Sequence, residues 1–109
     1  MSARRITTEV KLWDYMAPHM RGKWWRTEYA TPAGLSDAKG LWQGQTHHVE
    51  LKIGRPSVKA LRSAQHEFVI ECLRHGVPIW VVFWWKGAIH WFPGLPYGEG
   101  ASPPAFWRP

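Results

Sequence analysis

The chain has 109 residues, enough for one small domain and too few for a second core with a linker. A hydrophobic share of 45% argues against bulk disorder, and a single cysteine, Cys72, excludes an internal disulfide framework and fits a reducing compartment. The formal charge of +6 points to a polyanionic partner, nucleic acid ahead of membrane, although the same charge also serves solubility.

Thr7 or Thr8 can cap a first helix running to about Met20, with Glu9 in the first turn, where the helix dipole favours a negative charge. Val10, Trp13, Ala17 and Met20 recur at helical spacing and predict its apolar face, and Pro18 predicts a bend or early end. A strand is expected over Lys23 to Ala30, a turn at Thr31 to Gly34, and a second strand over Ser36 to Gln43, interrupted at Lys39-Gly40. Gly44-Gln45 is the expected hairpin turn into a third strand, His47 to Ile53. There Val49, Leu51 and Ile53 face one way and His48, Glu50 and Lys52 the other.

Gly54-Arg55-Pro56 breaks that strand. Ser57 is the expected N-cap of a helix ending at Arg74 or His75 before Gly76, with Val58, Leu61, Phe68, Val69, Cys72 and Leu73 on its apolar stripe. Ile79 to Trp85 is apolar on both faces and so belongs inside a sheet. Lys86-Gly87 turns it into a last strand, Ala88 to Phe92. The order is α-β-β-β-α-β(-β), an α/β or α+β domain with a mixed sheet. Residues 93–109 hold five Pro and three Gly and read as an extended, poorly packed tail, with Phe106 and Trp107 available to dock it locally or onto a partner subunit. No secretory signal follows Arg4 and Arg5. The longest apolar run, Val77 to Trp85, is about half a bilayer-spanning helix, so the expectation is an intracellular soluble protein.

The stretch most informative about chemistry is Asp37 to Lys52. Glu50 and Lys52 project from one strand face roughly 7 Å apart. Two carboxylates bind a hard cation through oxygen, and an adjacent amine suits metal-assisted hydrolysis at phosphorus. A solvated ion pair on an exposed strand explains the same pattern. Gln65 adds weight: it falls in the apolar stripe, where an amide needs a partner, either backbone or a functional group. His47 and His48 point to opposite faces and cannot chelate one ion, and one cysteine argues against a zinc site.

Taken together, Thr31-Pro32-Ala33-Gly34-Leu35-Ser36-Asp37, Val49-Glu50-Leu51-Lys52, Ser57 with Gln65, and Gly76-Val77-Pro78-Ile79-Trp80-Val81-Val82 resemble the PD-(D/E)XK nuclease superfamily. The likeness is strongest to the small stand-alone VRR-NUC type of phages and bacteria, and it covers about residues 30 to 85. It implies a restriction-endonuclease-like α/β fold, with a nuclease domain over residues 1–92. It also implies a Mg²⁺-dependent DNA endonuclease, with Mn²⁺ able to substitute, and cytoplasmic action in a bacterial or phage-infected cell. By position, Asp37 and Glu50 match the metal-binding acids, the Leu51 backbone carbonyl a further ligand, Lys52 the catalytic lysine and Gln65 a helix residue reaching the site. Glu9 matches an acid some members carry on the first helix, with Glu28 as the alternative. Ser36 stands where the family often has proline.

The stand-alone relatives further imply a homodimer acting on branched DNA such as Holliday junctions, an idea that also draws on the tail and on nine tryptophans, a surplus for this length. Candidate nucleic-acid contacts are Arg55, Lys59, Arg62, His66 and His48, with Lys59, Arg62 and His66 on one flank of the second helix. Two rivals share these features: a non-catalytic nucleic-acid-binding module and a sequence-specific or nicking endonuclease of the same fold.

Overall fold

A computed structural model describes residues 5–27 and 36–109. The Thr31 to Gly34 turn, the last residues of the first expected strand and Glu28 lie outside the described residues. Within them the chain forms α1 (Glu9–Met16), β1 (Lys23–Arg26), β2 (Ala38–Trp42), β3 (Gln45–Ile53), α2 (Ser63–Arg74), β4 (Ile79–Trp85) and β5 (Ala88–Phe92). Short 3-10 turns at Ala17–His19 and Val58–Ala60 follow α1 and precede α2. The strands make one mixed sheet in the order β1-β2-β3-β4-β5. β1, β2 and β3 pair antiparallel, β3 and β4 run parallel with α2 as the crossover, and β4 and β5 close as a hairpin. Among the described residues no helix is long and apolar enough to cross a membrane.

Thr8 caps α1 by accepting from the Lys11 N–H at 3.1 Å. The apolar face of α1 differs from the expected one. Val10 is 50% exposed, while Leu12, Trp13 and Met16 are buried. Pro18 falls in the 3-10 turn that ends the helix. The helix expected to start at Ser57 is divided. Ser57 caps only the 3-10 turn, by accepting from the Lys59 N–H, and α2 starts at Ser63 with Arg62 as its N-cap. Lys59 therefore stands off the flank it was expected to share with Arg62 and His66. Leu73 is exposed rather than part of the apolar stripe, and so is Ile53 at the end of β3.

β2 runs unbroken through Lys39-Gly40, and the Trp24 ring fills the space that a side chain at position 40 would take. The β2–β3 turn sits one residue earlier than expected. Gln43 and Gly44 take φ of 50° and 75°, the left-handed pair that matches strand twist in a two-residue hairpin. Lys86 and Gly87 repeat this between β4 and β5.

Two cores sandwich the sheet. On one face α1 packs Leu12, Trp13 and Met16 onto Ala38, Val49, Leu51 and Val82. On the other, α2 packs Val69 and Cys72, with Leu61, onto Ile79, Val81, Phe83 and Phe92. β4 feeds both, as its doubly apolar sequence requires.

Of the two dockings open to the tail, the local one is seen: Phe106 joins the first core. Phe106 is 1% exposed and lies against Trp24, Trp42 and Trp91, while Trp107 lies against Tyr15 and Trp91. Backbone bonds from Arg21 N–H to the Phe106 carbonyl (2.7 Å) and from Arg108 N–H to the His19 carbonyl (2.8 Å) fix it there. Most of the tryptophans and the tail, both read above as material for a dimer, thus pack within one chain, whereas Trp25 stays exposed. Phe106→Ala is expected to cost roughly 3–5 kcal/mol and Tyr97→Ala, at a 67% exposed position, within about 0.5 kcal/mol. Urea denaturation of the two variants checks this; equal effects would mean that the tail is not part of the core.

Candidate active site

The site forms where β2 begins beside the second half of β3. Strand pairing ends at Ala38↔Val49, and beyond it two carboxylates continue the ladder. The Asp37 N–H donates to Glu50 Oε1 (3.0 Å), and the Leu51 N–H donates to Asp37 Oδ2 (2.7 Å). The Asp37 carbonyl accepts from the Thr27 N–H (2.9 Å), which ties the start of β2 to the end of β1. Each acid is thus held by backbone rather than by a flexible partner. Glu50 is 0% exposed, and its Oε2 is buried with no hydrogen-bond partner.

Lys52 is on the same face of β3 as Glu50. Its Nζ donates to Gln65 Oε1 (2.8 Å), and the same oxygen accepts from the Arg62 N–H at the start of α2 (3.0 Å). The buried amide on the apolar stripe is therefore satisfied twice over: it caps its own helix and orients the lysine. The structure brings Asp37, Glu50, Lys52 and Gln65 together from the residue before β2, from β3 and from α2, with the Leu51 backbone between the two β3 side chains.

Burial, the Asp37 charge beside it and the Glu9 charge push the Glu50 carboxyl up to about 8, against the pull of Lys52 and the Asp37 N–H. Asp37 is raised chiefly by burial, with the Leu51 N–H, Lys52, Arg26 and Arg62 opposing. Glu9, in the first turn of α1, is raised by burial and by Asp37, and is lowered by Lys52, Arg26 and Arg62.

Arg26 is a residue near the site that the sequence reading does not single out. It is half-buried, donates from Nη1 to the Glu9 carbonyl (3.2 Å), and has a buried Nε without a partner.

The other candidates stand further out. Arg55, Lys59 and Arg62 are exposed and His66 is half-buried. His48 is engaged inside the protein. Its Nδ1 lies 2.7 Å from Ser36 Oγ and its ring edges onto Phe68 at 5.2 Å. Burial, Lys39 and His47 lower its pKa, which favours the neutral ring. His47 is buried on the opposite face, near the Trp42 carbonyl.

The sheet order and the two flanking helices have a counterpart. The fold is shared with an archaeal Holliday junction resolvase. The similarity is to Hjc of Archaeoglobus fulgidus, with a TM-score of 0.55 and 15% identity over 78% of this chain and 72% of that one. No protein-family model matches the sequence, and no curated protein matches it.

The donor set suits a hard divalent cation. Each carboxylate commits one oxygen to a backbone N–H, and Glu50 Oε2 is left buried and unpartnered. Among the described residues no three His, Cys, Asp or Glu side chains converge on one point. Such an ion would therefore take two carboxylates, with the remaining positions left to backbone carbonyl, water or substrate oxygens.

Unfolding returns Glu50 to its ordinary 4.5, so between 4.5 and about 8 the folded chain holds this proton more tightly than the unfolded one. The stability this supplies is full below 4.5 and is lost as pH rises through about 8. Asp37 and Glu9 carry the same sign. In EDTA, Glu50→Gln is expected to gain in Tm relative to the wild type as pH rises, by roughly 5–10 °C near pH 8. Thermal melts across pH check this; a difference independent of pH would contradict the raised Glu50 pKa.

Proposed function

We propose that the chain is a metal-dependent nuclease of the PD-(D/E)XK type that hydrolyses DNA phosphodiester bonds, and that its preferred substrate is branched DNA. One observation carries the reading: two carboxylates and a lysine are built into a sheet centre at the cost of a buried, unpartnered carboxylate oxygen. A solvated ion pair on an exposed strand has no need of that arrangement, because water would satisfy every oxygen. Fold similarity to an archaeal Holliday junction resolvase supports the substrate class.

In this reading Asp37 and Glu50 hold Mg²⁺ or Mn²⁺, with the Leu51 carbonyl as a further donor. When bound, the cation stabilises charge on the phosphate and acidifies water. Lys52, oriented by Gln65, stabilises the negative charge that grows on phosphorus-bound oxygen in the transition state. Arg26 and Arg62 keep a positive field over the acids, and Glu9 stands close enough to tune it. Arg55, Lys59, Arg62 and His66 take the phosphate backbone, which provides affinity without reading sequence. A two-fold homodimer would set two such sites on the symmetric strands of a junction.

Incubation of labelled four-way junction, linear duplex and single strand with Mg²⁺ or Mn²⁺ tests this. The expected result is cutting that EDTA abolishes, with the junction favoured. Glu50→Gln and Lys52→Ala should each slow it by roughly a hundredfold or more. Gln65→Ala, which leaves Lys52 without its acceptor, should lower kcat more than it raises KM. Tight DNA binding without cutting under either metal would instead support a non-catalytic binding module.

A further inference from the structure

A cleft of about 330 Å³ opens at the end of the sheet that carries Lys52, lined by Arg55, Pro56, Trp85, His90, Phe92 and Glu99. The register explains why these residues meet. Lys52 pairs with Phe83, and Phe83 with His90; Val81 pairs with Phe92. Trp85, His90 and Phe92 therefore share the sheet face of Glu50 and Lys52, one and two strands away. Gly54, at φ 113°, ends β3, and its N–H donates to the Trp84 carbonyl (2.9 Å), which holds Arg55 beside the end of β4.

The cleft's chemistry is mixed. Trp85 and His90 present two rings 5.8 Å apart. Lys86 does not line the cleft; its ammonium lies over the Trp85 ring, 4.6 Å from the centre. Arg55 brings one positive charge and Glu99 one negative charge, both exposed. A groove for phosphate backbone alone would gain nothing from Glu99, which repels phosphate. A carboxylate beside aromatic rings suits the amino or imino N–H of a nucleobase. The volume lies at the low end of the roughly 300–1,000 Å³ typical of ligand pockets, enough for one nucleotide and too small for a duplex. A base paired in a duplex shows its edge and hides its face, so only an unpaired nucleotide can stack here.

We propose that this cleft binds one unpaired nucleotide of a DNA strand, with the base against Trp85 and His90, its N–H groups on Glu99 and its phosphate on Arg55. The choice of ligand rests on the nuclease reading above. The subsite would give the chain a way to favour branched or distorted DNA over plain duplex, since it reads loss of pairing rather than sequence.

The test is fluorescence anisotropy in EDTA, which reports binding without cutting, on two labelled hairpins of equal length. One is fully paired and the other carries a single cytosine bulge. The wild type is expected to bind the bulged hairpin more tightly. Trp85→Ala should weaken that binding roughly tenfold and leave the paired hairpin unchanged, and Trp85→Phe, which keeps a ring, should restore most of the loss. Equal weakening on both hairpins, no change on either, or no preference in the wild type would each overturn the subsite. A parallel Mn²⁺ cleavage assay separates the two claims. Trp85-dependent bulge binding without any cutting would leave the subsite standing and remove the nuclease. Cutting by a Trp85→Ala protein that binds both hairpins as the wild type does would do the reverse.

Discussion

Glu50 sits in the middle of a five-stranded sheet with its carboxyl group wholly out of solvent and a second acid, Asp37, bonded to it through the backbone. Burying a carboxylate is costly, and burying it next to another is more so. The remaining site features act against that cost. Lys52 lies two residues along the same face, Arg26 and Arg62 add positive field, and backbone N–H groups take one oxygen of each acid. They do not remove it, and Glu50 Oε2 still lacks a partner. A cation at that oxygen would complete the balance, so the strain at Glu50 is the feature around which the site is organised.

The fold supplies the rigidity this requires. β3 runs between an antiparallel neighbour and a parallel one, so both its edges are paired. α1 and the C-terminal tail seal one face and α2 seals the other. Gln65 links the second core to the chemistry: the oxygen that caps α2 also holds Lys52, so the helix start and the lysine are set by one bond network. A loosened α2 would release the lysine as well.

Much of this was legible in the sequence where the signal was local and periodic. β3 follows from alternation, β4 from its doubly apolar run and β5 from the Lys86-Gly87 turn, and the α2 stop follows from Gly76, whose φ is 68°. The fold class follows from the order of these elements. The α1 face was misread because its apolar residues extend round the helix, and only the docked sheet selects Leu12, Trp13 and Met16 over Val10. The helix start at Ser57 was misread because the cap signal is genuine but serves a single 3-10 turn. Phe106 and Trp107 stood out in the tail as docking residues, but the choice between local and partner docking was not legible, because Phe106 is held by ring contacts with residues far away in sequence. At the site, residue types and spacing singled out Asp37, Glu50, Lys52 and Gln65. Arg26 and the Trp85 cleft come together only through strand register, which no short motif records.

The central claim is that Asp37 and Glu50 form a divalent-cation site that is protonated when empty. Calorimetric titration of Mn²⁺ near pH 7, in two buffers of different ionisation enthalpy, measures binding and proton release together. With the Glu50 carboxyl at about 8, the account predicts saturable binding with close to one proton released, and neither in Asp37→Asn. Binding that Asp37→Asn leaves intact, or saturable binding without proton release, would contradict it.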